Sequence, residues 1–233
     1  MHIGLFGGTF NPIHRCHLAI AQDIQTHMRL DHILFIPSGD PPHKPPDTLI
    51  PAIHRLEMVK AAIATHPTFS ISDIEIRTSN YSYTIDTVTT LKEIYPANTT
   101  FSFLVGLDAF LEFPSWKQSP QLLKLCHFIV CERPGSRFEE LSKLTMFSFF
   151  PFKDLVALDA HQITHLDHPL SSTTRITLLS LPACHISSSM IRHHLREGLP
   201  VSDWLPPLVE SYILSHQLYR SPTREGSHFK KST

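Results

Sequence analysis

The sequence predicts a doubly wound α/β fold of Rossmann-like type. Its sheet is mostly parallel, with helices on both faces and a small helical part at the C-terminal end. Three observations predict it. Short apolar runs of strand length alternate with stretches of helical period along most of the chain. The first run, residues 2–6, passes through Gly7-Gly8 into a helix, and a second run follows at 32–36; together they form a strand–helix–strand unit with a right-handed crossover. The polar or glycine-rich turns at Gly7-Gly8, Gly106-Leu107-Asp108, Arg133-Pro134-Gly135 and Ser187-Ser188-Ser189 lie at strand ends or helix starts, and so gather at one edge of the sheet.

Each element has its own signal. Leu18, Ala21, Ile24 and Met28 fall at helical spacing, giving a helix over 13–28. Residues 37–51 are a Pro-rich loop in which regular helix is forbidden. Ile53, Leu56, Val59 and Ile63 mark the next helix, and the alternation over 69–77 predicts a strand. A helix then starts near Ser82-Tyr83-Thr84 and carries Ile85, Val88, Leu91 and Tyr95. A strand at 101–105 ends at Gly106, and Ser119-Pro120 starts a helix with Ser as N-cap and Pro at its first position. A strand follows at 128–131. Residues 136–172 have weak periodicity and read as a short helix with an irregular edge segment. The last strand is 175–181, and a helix from 186 stops at Gly198. A terminal helix lies within 205–219, and the polar residues 221–233 read as a disordered tail. The expectation is one domain over 1–220.

Composition narrows the class. A chain of 233 residues that is 42% apolar can bury a sizeable core. A formal net charge of −1 offers no basic field for nucleic acid, so any anion must be bound locally. No run approaches the ~20 apolar residues of a membrane span. No signal peptide is visible, and the four cysteines have no CxxC spacing; reduced thiols in a cytoplasmic compartment are expected.

The turn after the first strand carries chemistry. Glycines permit positive φ and a close backbone approach, and the following helix aims free N–H groups and its positive dipole end at a bound anion. His14 and His17, three residues apart, share a helix face and can donate to phosphate oxygens or, as imidazolium, offset developing charge. A zinc pair is the alternative, but no further ligands are supplied. The serines at 187–189, with Arg192 one turn on, make a second anion-binding helix end, although the serines could also serve only as caps. Lys44 and Arg133 are either further phosphate donors or ordinary surface charges.

These residues resemble a family. Gly7-Gly8-Thr9-Phe10-Asn11-Pro12-Ile13-His14-x-x-His17 resembles the (T/H)xGH signature of nucleotidyltransferases, and Ile186-Ser187-Ser188-Ser189-x-x-Arg192 their ISSTxxR signature. Pro41-Pro42-His43-Lys44, Ser82-Tyr83-Thr84-x-Asp86-Thr87, Gly106-x-Asp108, Trp116 and Arg133-Pro134-Gly135 resemble bacterial nicotinate-nucleotide adenylyltransferases, in the same order. Phosphopantetheine adenylyltransferases resemble the first signature but are shorter and lack the Pro41-Pro42-His43-Lys44 and Ser82-Tyr83-Thr84 elements. Asn11 stands where many members have Asp, and Cys16 stands where the signature has Gly.

The resemblance implies transfer of an adenylyl group from ATP to nicotinate mononucleotide, with Mg²⁺ carried by ATP. It implies that His14 and His17 hold and neutralise the ATP phosphates, within an ATP site of Gly7, Gly8, Thr9, Phe10, Ile186, Ser188, Ser189 and Arg192. Gly106 and Asp108 would meet the ribose. Lys44, Thr84, Trp116 and Arg133 would bind the mononucleotide: Trp116 stacks on the pyridine, Thr84 takes the carboxylate, and Lys44 and Arg133 face phosphate. A core position for Trp116 and a capping role for Thr84 are alternative readings. The amide substrate nicotinamide mononucleotide, another phosphomonoester, or a non-catalytic nucleotide-binding module are the alternative functions.

Overall fold

The computed structural model describes residues 1–39, 49–78, 82–182 and 184–220. Among them, seven strands form one sheet in the order β3-β2-β1-β4-β5-β7-β6. The strands are β1 (His2–Gly8), β2 (His32–Pro37), β3 (Phe69–Ile71), β4 (Thr100–Gly106), β5 (His127–Cys131), β6 (His165–Pro169) and β7 (Arg175–Leu179). All pairings are parallel except β6 on β7 at the edge. Strand order reverses between β1 and β4, so the crevice beyond their carboxyl ends is the switch point of the sheet.

The sheet separates two apolar cores because strand side chains alternate between its faces. Ile3, Leu5, Phe101, Phe103, Phe128 and Val130 face one side, with helices α3 (Thr84–Ile94) and α5 (Ser119–Leu125). Phe6, Ile33, Phe35, Leu104 and Ile129 face the other, with α1 (Arg15–His27), α2 (Ala52–Ile63), α7 (Ser188–Glu197) and α8 (Pro207–Ser215). The short α4 (Leu107–Leu111) follows β4 directly.

Several sequence expectations shift. The alternation over 69–77 gives only three strand residues; after Ser72 donates to the Phe35 carbonyl, the chain turns at Asp73, whose carbonyl accepts from Ile76 and Arg77. That strand lies at the sheet edge, where one neighbour fixes only a short ladder. Helix α5 is capped by Gln118 in the left-handed region rather than by Ser119. Segment 136–172 is richer than its periodicity suggests. Two 3₁₀ turns, α6 (Phe152–Asp159) and the edge strand β6 bring Phe138, Leu141, Phe147 and Leu155 into the first core. Short 3₁₀ turns leave no 3.6-residue pattern to read.

Candidate active site

A cavity of about 690 Å³ opens beyond the carboxyl ends of β1 and β4. Its floor is the turn from β1 into α1. Gly7 and Gly8 remain in extended β1 and do not take positive φ; the left-handed residue is Phe10, at φ 47°. The glycines matter because they lack a Cβ. One at Gly8 would sit 3.0 Å from the Phe10 ring, and one at Gly7 3.3 Å from the Phe103 ring. Phe10 is held in its uncommon conformation by edge packing on Phe6 and His17.

His14 is the N-cap of α1, and His17 lies in its first turn. Their rings are 3.8 Å apart and both are buried. The His14 amide donates to His17 Nδ1 at 3.2 Å, which assigns the His17 proton to Nε2. His14 Nδ1 is buried and has no hydrogen-bond partner among the described residues. Burial, then the Arg133 charge, pushes the His14 pKa down to about 3. Burial, His14 and Arg133 hold His17 well below the ordinary histidine value. Both rings are therefore neutral near pH 7, not imidazolium. An anion laid against them would favour their protonated forms.

Helix α7 supplies the opposite wall. Ser187 caps it, accepting from the Met190 amide, and Gly198 ends it in the left-handed region. Ser188 Oγ donates to the Pro12 carbonyl at 2.9 Å, and Arg192 Nη1 donates to the Asn11 carbonyl at 2.9 Å. Arg192 Nη2 donates to Ser189 Oγ. The two signature turns, about 175 residues apart in sequence, are thus bonded into one wall of donors.

Thr84, the first residue of α3, and half-buried Trp116 line the far end of the cavity, with Glu75. Trp116 also packs edge-on against Phe103, so it both lines the cavity and adjoins the first core. Glu75 accepts from Thr87 Oγ1 at 2.8 Å, and burial raises its pKa. Gly106 and Asp108 follow β4. Asp108 does not cap α4; it lies 3.9 Å from the Arg133 guanidinium across the cavity mouth. A Cβ at Gly106 would come within 2.7 Å of Arg133 Nε, so glycine makes room for that pair.

Of the sequence-derived site residues, Gly7, Gly8, Thr9, Phe10, His14, His17, Thr84, Gly106, Asp108, Trp116, Arg133, Ser188, Ser189 and Arg192 line this one cavity. Ile186 does not; it packs against the second core. Lys44 and the Pro41-Pro42-His43-Lys44 motif, like the tail 221–233, lie outside the described residues. The expectation of four reduced cysteines is corrected: Cys16 and Cys184 form a disulfide, while Cys126 and Cys131 are buried free thiols. Their separation of 168 residues hid that pairing from the sequence.

Two supporting residues escaped the sequence reading. Arg55, on α2, is fully buried and donates to the carbonyls of Thr9, Gly39 and Ile50. It joins the β1–α1 turn at Thr9 to Gly39 and Ile50. A helical Arg amid apolar neighbours was the available signal, since such a charge is rarely buried without a purpose. Tyr219 Oη donates to Asn11 Oδ1 at 2.9 Å, clasping the same turn from the C-terminal end.

The geometry defines a nucleotide-handling α/β site with two donor-lined helix starts. The family model described as cytidylyltransferase-like matches residues 5–194. Among curated relatives, a protein of Shewanella frigidimarina is 38% identical over 94% of this chain and 100% of its own length. One of Thermoanaerobacter is 35% identical over 97% of this chain and 98% of its own. Both are named "Probable nicotinate-nucleotide adenylyltransferase". The chain belongs to the cytidylyltransferase-like nucleotidyltransferases and, within them, to the nicotinate-nucleotide adenylyltransferase family. The same fold is seen in Plasmodium falciparum nicotinic acid mononucleotide adenylyltransferase, solved with NaAD, at TM-score 0.67 and 23% identity over 94% of this chain and 97% of that one. No helix among the described residues is long and apolar enough to cross a membrane.

Proposed function

We propose that the chain joins ATP and nicotinate mononucleotide to give nicotinate adenine dinucleotide and pyrophosphate, a step of NAD biosynthesis. Full-length relatives of that name at 35–38% identity support the reading. The observation that carries it is the bonding of the α7 start to the β1–α1 turn, Ser188 to Pro12 and Arg192 to Asn11, around one cavity. Two donor-bearing helix ends facing each other suit a polyphosphate better than a single phosphate.

The mononucleotide phosphate attacks the α-phosphorus of ATP, and pyrophosphate leaves from the opposite side. Such transfer needs alignment and charge stabilisation more than a protein nucleophile. His17 Nε2–H and the His14 ring donate to phosphoryl oxygens as charge builds. Thr9 and Phe10, with Gly7 and Gly8, form the floor beneath the phosphates. Ser188, Ser189 and Arg192 hold the β- and γ-phosphates, so the leaving group departs already neutralised. Gly106 and Asp108 meet the ribose, and Ile186 supports the site through packing. Trp116 stacks on the pyridine, Thr84 takes its carboxylate, and Arg133 and Lys44 bind the mononucleotide phosphate.

The cavity offers N–H and hydroxyl donors. Among the described residues no three His, Cys, Asp or Glu side chains cluster to cage a metal. That donor set fits Mg²⁺ brought in on the triphosphate with its own waters. Mg²⁺ would screen the phosphate charge. Residues 1–220 act as one catalytic unit on this reading, in the cytoplasm, with no nucleic-acid partner.

The test is pyrophosphate release from ATP and Mg²⁺ with nicotinate mononucleotide, compared with its amide. Faster turnover of the acid is expected. Equal or faster turnover of the amide would overturn the acid assignment, and no release with either would overturn the activity.

A further inference from the structure

The Cys16–Cys184 bond has a place in the fold that the reaction does not use. Cys16 lies in the first turn of α1, between His14 and His17, and is 2% exposed. Cys184 is half-buried in the connection from β7 to α7, three residues before the Ser187 cap. Their Cα atoms are 5.8 Å apart. The bond therefore ties the start of α1 to the segment that presents Ser188, Ser189 and Arg192. Neither cysteine lines the nucleotide cavity. Both line a separate cavity of about 140 Å³ on the other side of Arg133, beside Glu132 and His185. Oxidation can thus be read out without a sulfur entering the nucleotide site.

We propose that Cys16 and Cys184 are a reversible thiol–disulfide modification site that exchanges with small-molecule disulfides and thiols, and that the bond tightens the ATP site by fixing its two halves together. The inference rests on the reading that this cavity takes ATP. In the oxidising direction a small disulfide RSSR brings its S–S bond to the mouth of the 140 Å³ cavity and meets Cys184, on the more exposed of the two residues. The Cys184 thiolate attacks one sulfur of RSSR, and RS⁻ leaves. The thiolate of Cys16 then attacks the mixed disulfide at Cys184, and the second RS⁻ leaves. The two thiol protons end on the two released RSH molecules; the cysteines are oxidised by two electrons and RSSR is reduced by two. In the reducing direction two RSH reverse both steps.

The remaining cysteines do not compete. Cys126 and Cys131 are fully buried in the sheet region, and burial pushes each thiol up to about 12. The other ties between the two halves, Ser188 to Pro12 and Arg192 to Asn11, are hydrogen bonds from the groups that bind phosphate. Breaking the covalent tie leaves those groups to pay for their own ordering when ATP arrives, which weakens binding without removing any contact.

The experiment takes the full-length protein through mixtures of reduced and oxidised glutathione. Each sample is alkylated under denaturing conditions and weighed, peptides are mapped, and ATP affinity is measured by calorimetry. Oxidised protein should show two of its four cysteines protected, in one linked peptide pair containing Cys16 and Cys184. Reduction should weaken ATP binding about 3- to 10-fold, the scale of a few newly mobile side chains, and leave affinity for the mononucleotide unchanged. Cys184→Ser should stay at the reduced-form affinity in every buffer. Four alkylated cysteines under oxidising conditions would overturn the modification site, and equal ATP affinity in the two forms would overturn its effect. Absence of ATP binding in both forms would instead contradict the assignment of the cavity, while the thiol count still decides whether the pair exchanges.

Discussion

The two helix starts that face the cavity solve one problem in opposite ways. The α1 start is buried, apolar around its rim, and offers two neutral imidazoles whose pKa values burial has lowered. The α7 start is open, with an exposed Ser189 and a half-buried Arg192 that keeps its charge. A buried neutral donor discriminates by geometry and strengthens as charge develops near it in a low-dielectric site. An exposed charged donor attracts anions before reaction and binds ground and transition states alike. On the proposed function, the contrast gives rate to the first half and affinity to the second.

Substitutions can break that contrast. His17→Ala should lower kcat by about 10²-fold or more with little change in the KM for ATP. Steady-state kinetics, with circular dichroism to confirm folding, checks this, and retained kcat would make His17 a structural cap. Arg55→Leu should destabilise the fold by about 2–4 kcal/mol, because the buried Gly39 carbonyl and the part-buried carbonyls of Thr9 and Ile50 lose their donor; urea unfolding measures it. Arg192→Ala should raise the KM for ATP about 10- to 30-fold, the scale of a lost charge-assisted bond, with kcat falling less.

The pH dependence of stability follows from the buried histidines. Their folded pKa values lie below the unfolded value, so the unfolded state binds more protons. Stability is then full above about pH 6.5 and falls as pH drops below it, for His14 by about 1.4 kcal/mol per unit down to about pH 3, with His17 adding a loss of the same sign. Glu75 has the opposite sign: its raised pKa favours the folded state at low pH and offsets part of the loss just above its ordinary value. Urea midpoints from pH 7.5 to 4.5 test the sum. His14→Gln, which removes one buried titrating ring, should flatten the slope.

Local features were legible in the sequence. The turn at Gly7-Gly8, the two histidines, the Ser187 cap and the Gly198 stop each depend on neighbours within one turn, so pattern and chemistry coincide. The fourteen candidate site residues other than Lys44 and Ile186 need no more than this to be picked out, and their convergence followed from strand ends sharing one sheet edge. What stayed hidden was tertiary. Arg55 gains its meaning only when Thr9, Gly39 and Ile50 are brought around it. Tyr219 reaches Asn11 across 208 residues, and Cys16 reaches Cys184 across 168. Residues 72–77 alternated like a strand but turned, since an edge strand has one partner to hold it.

The division of labour between the two helix starts is tested most directly by comparing ATP and AMP binding to the wild type and to Arg192→Ala. If α7 holds the β- and γ-phosphates, the substitution weakens ATP binding about 10-fold or more and leaves AMP binding unchanged. An equal loss for both nucleotides, or no loss for ATP, would contradict it.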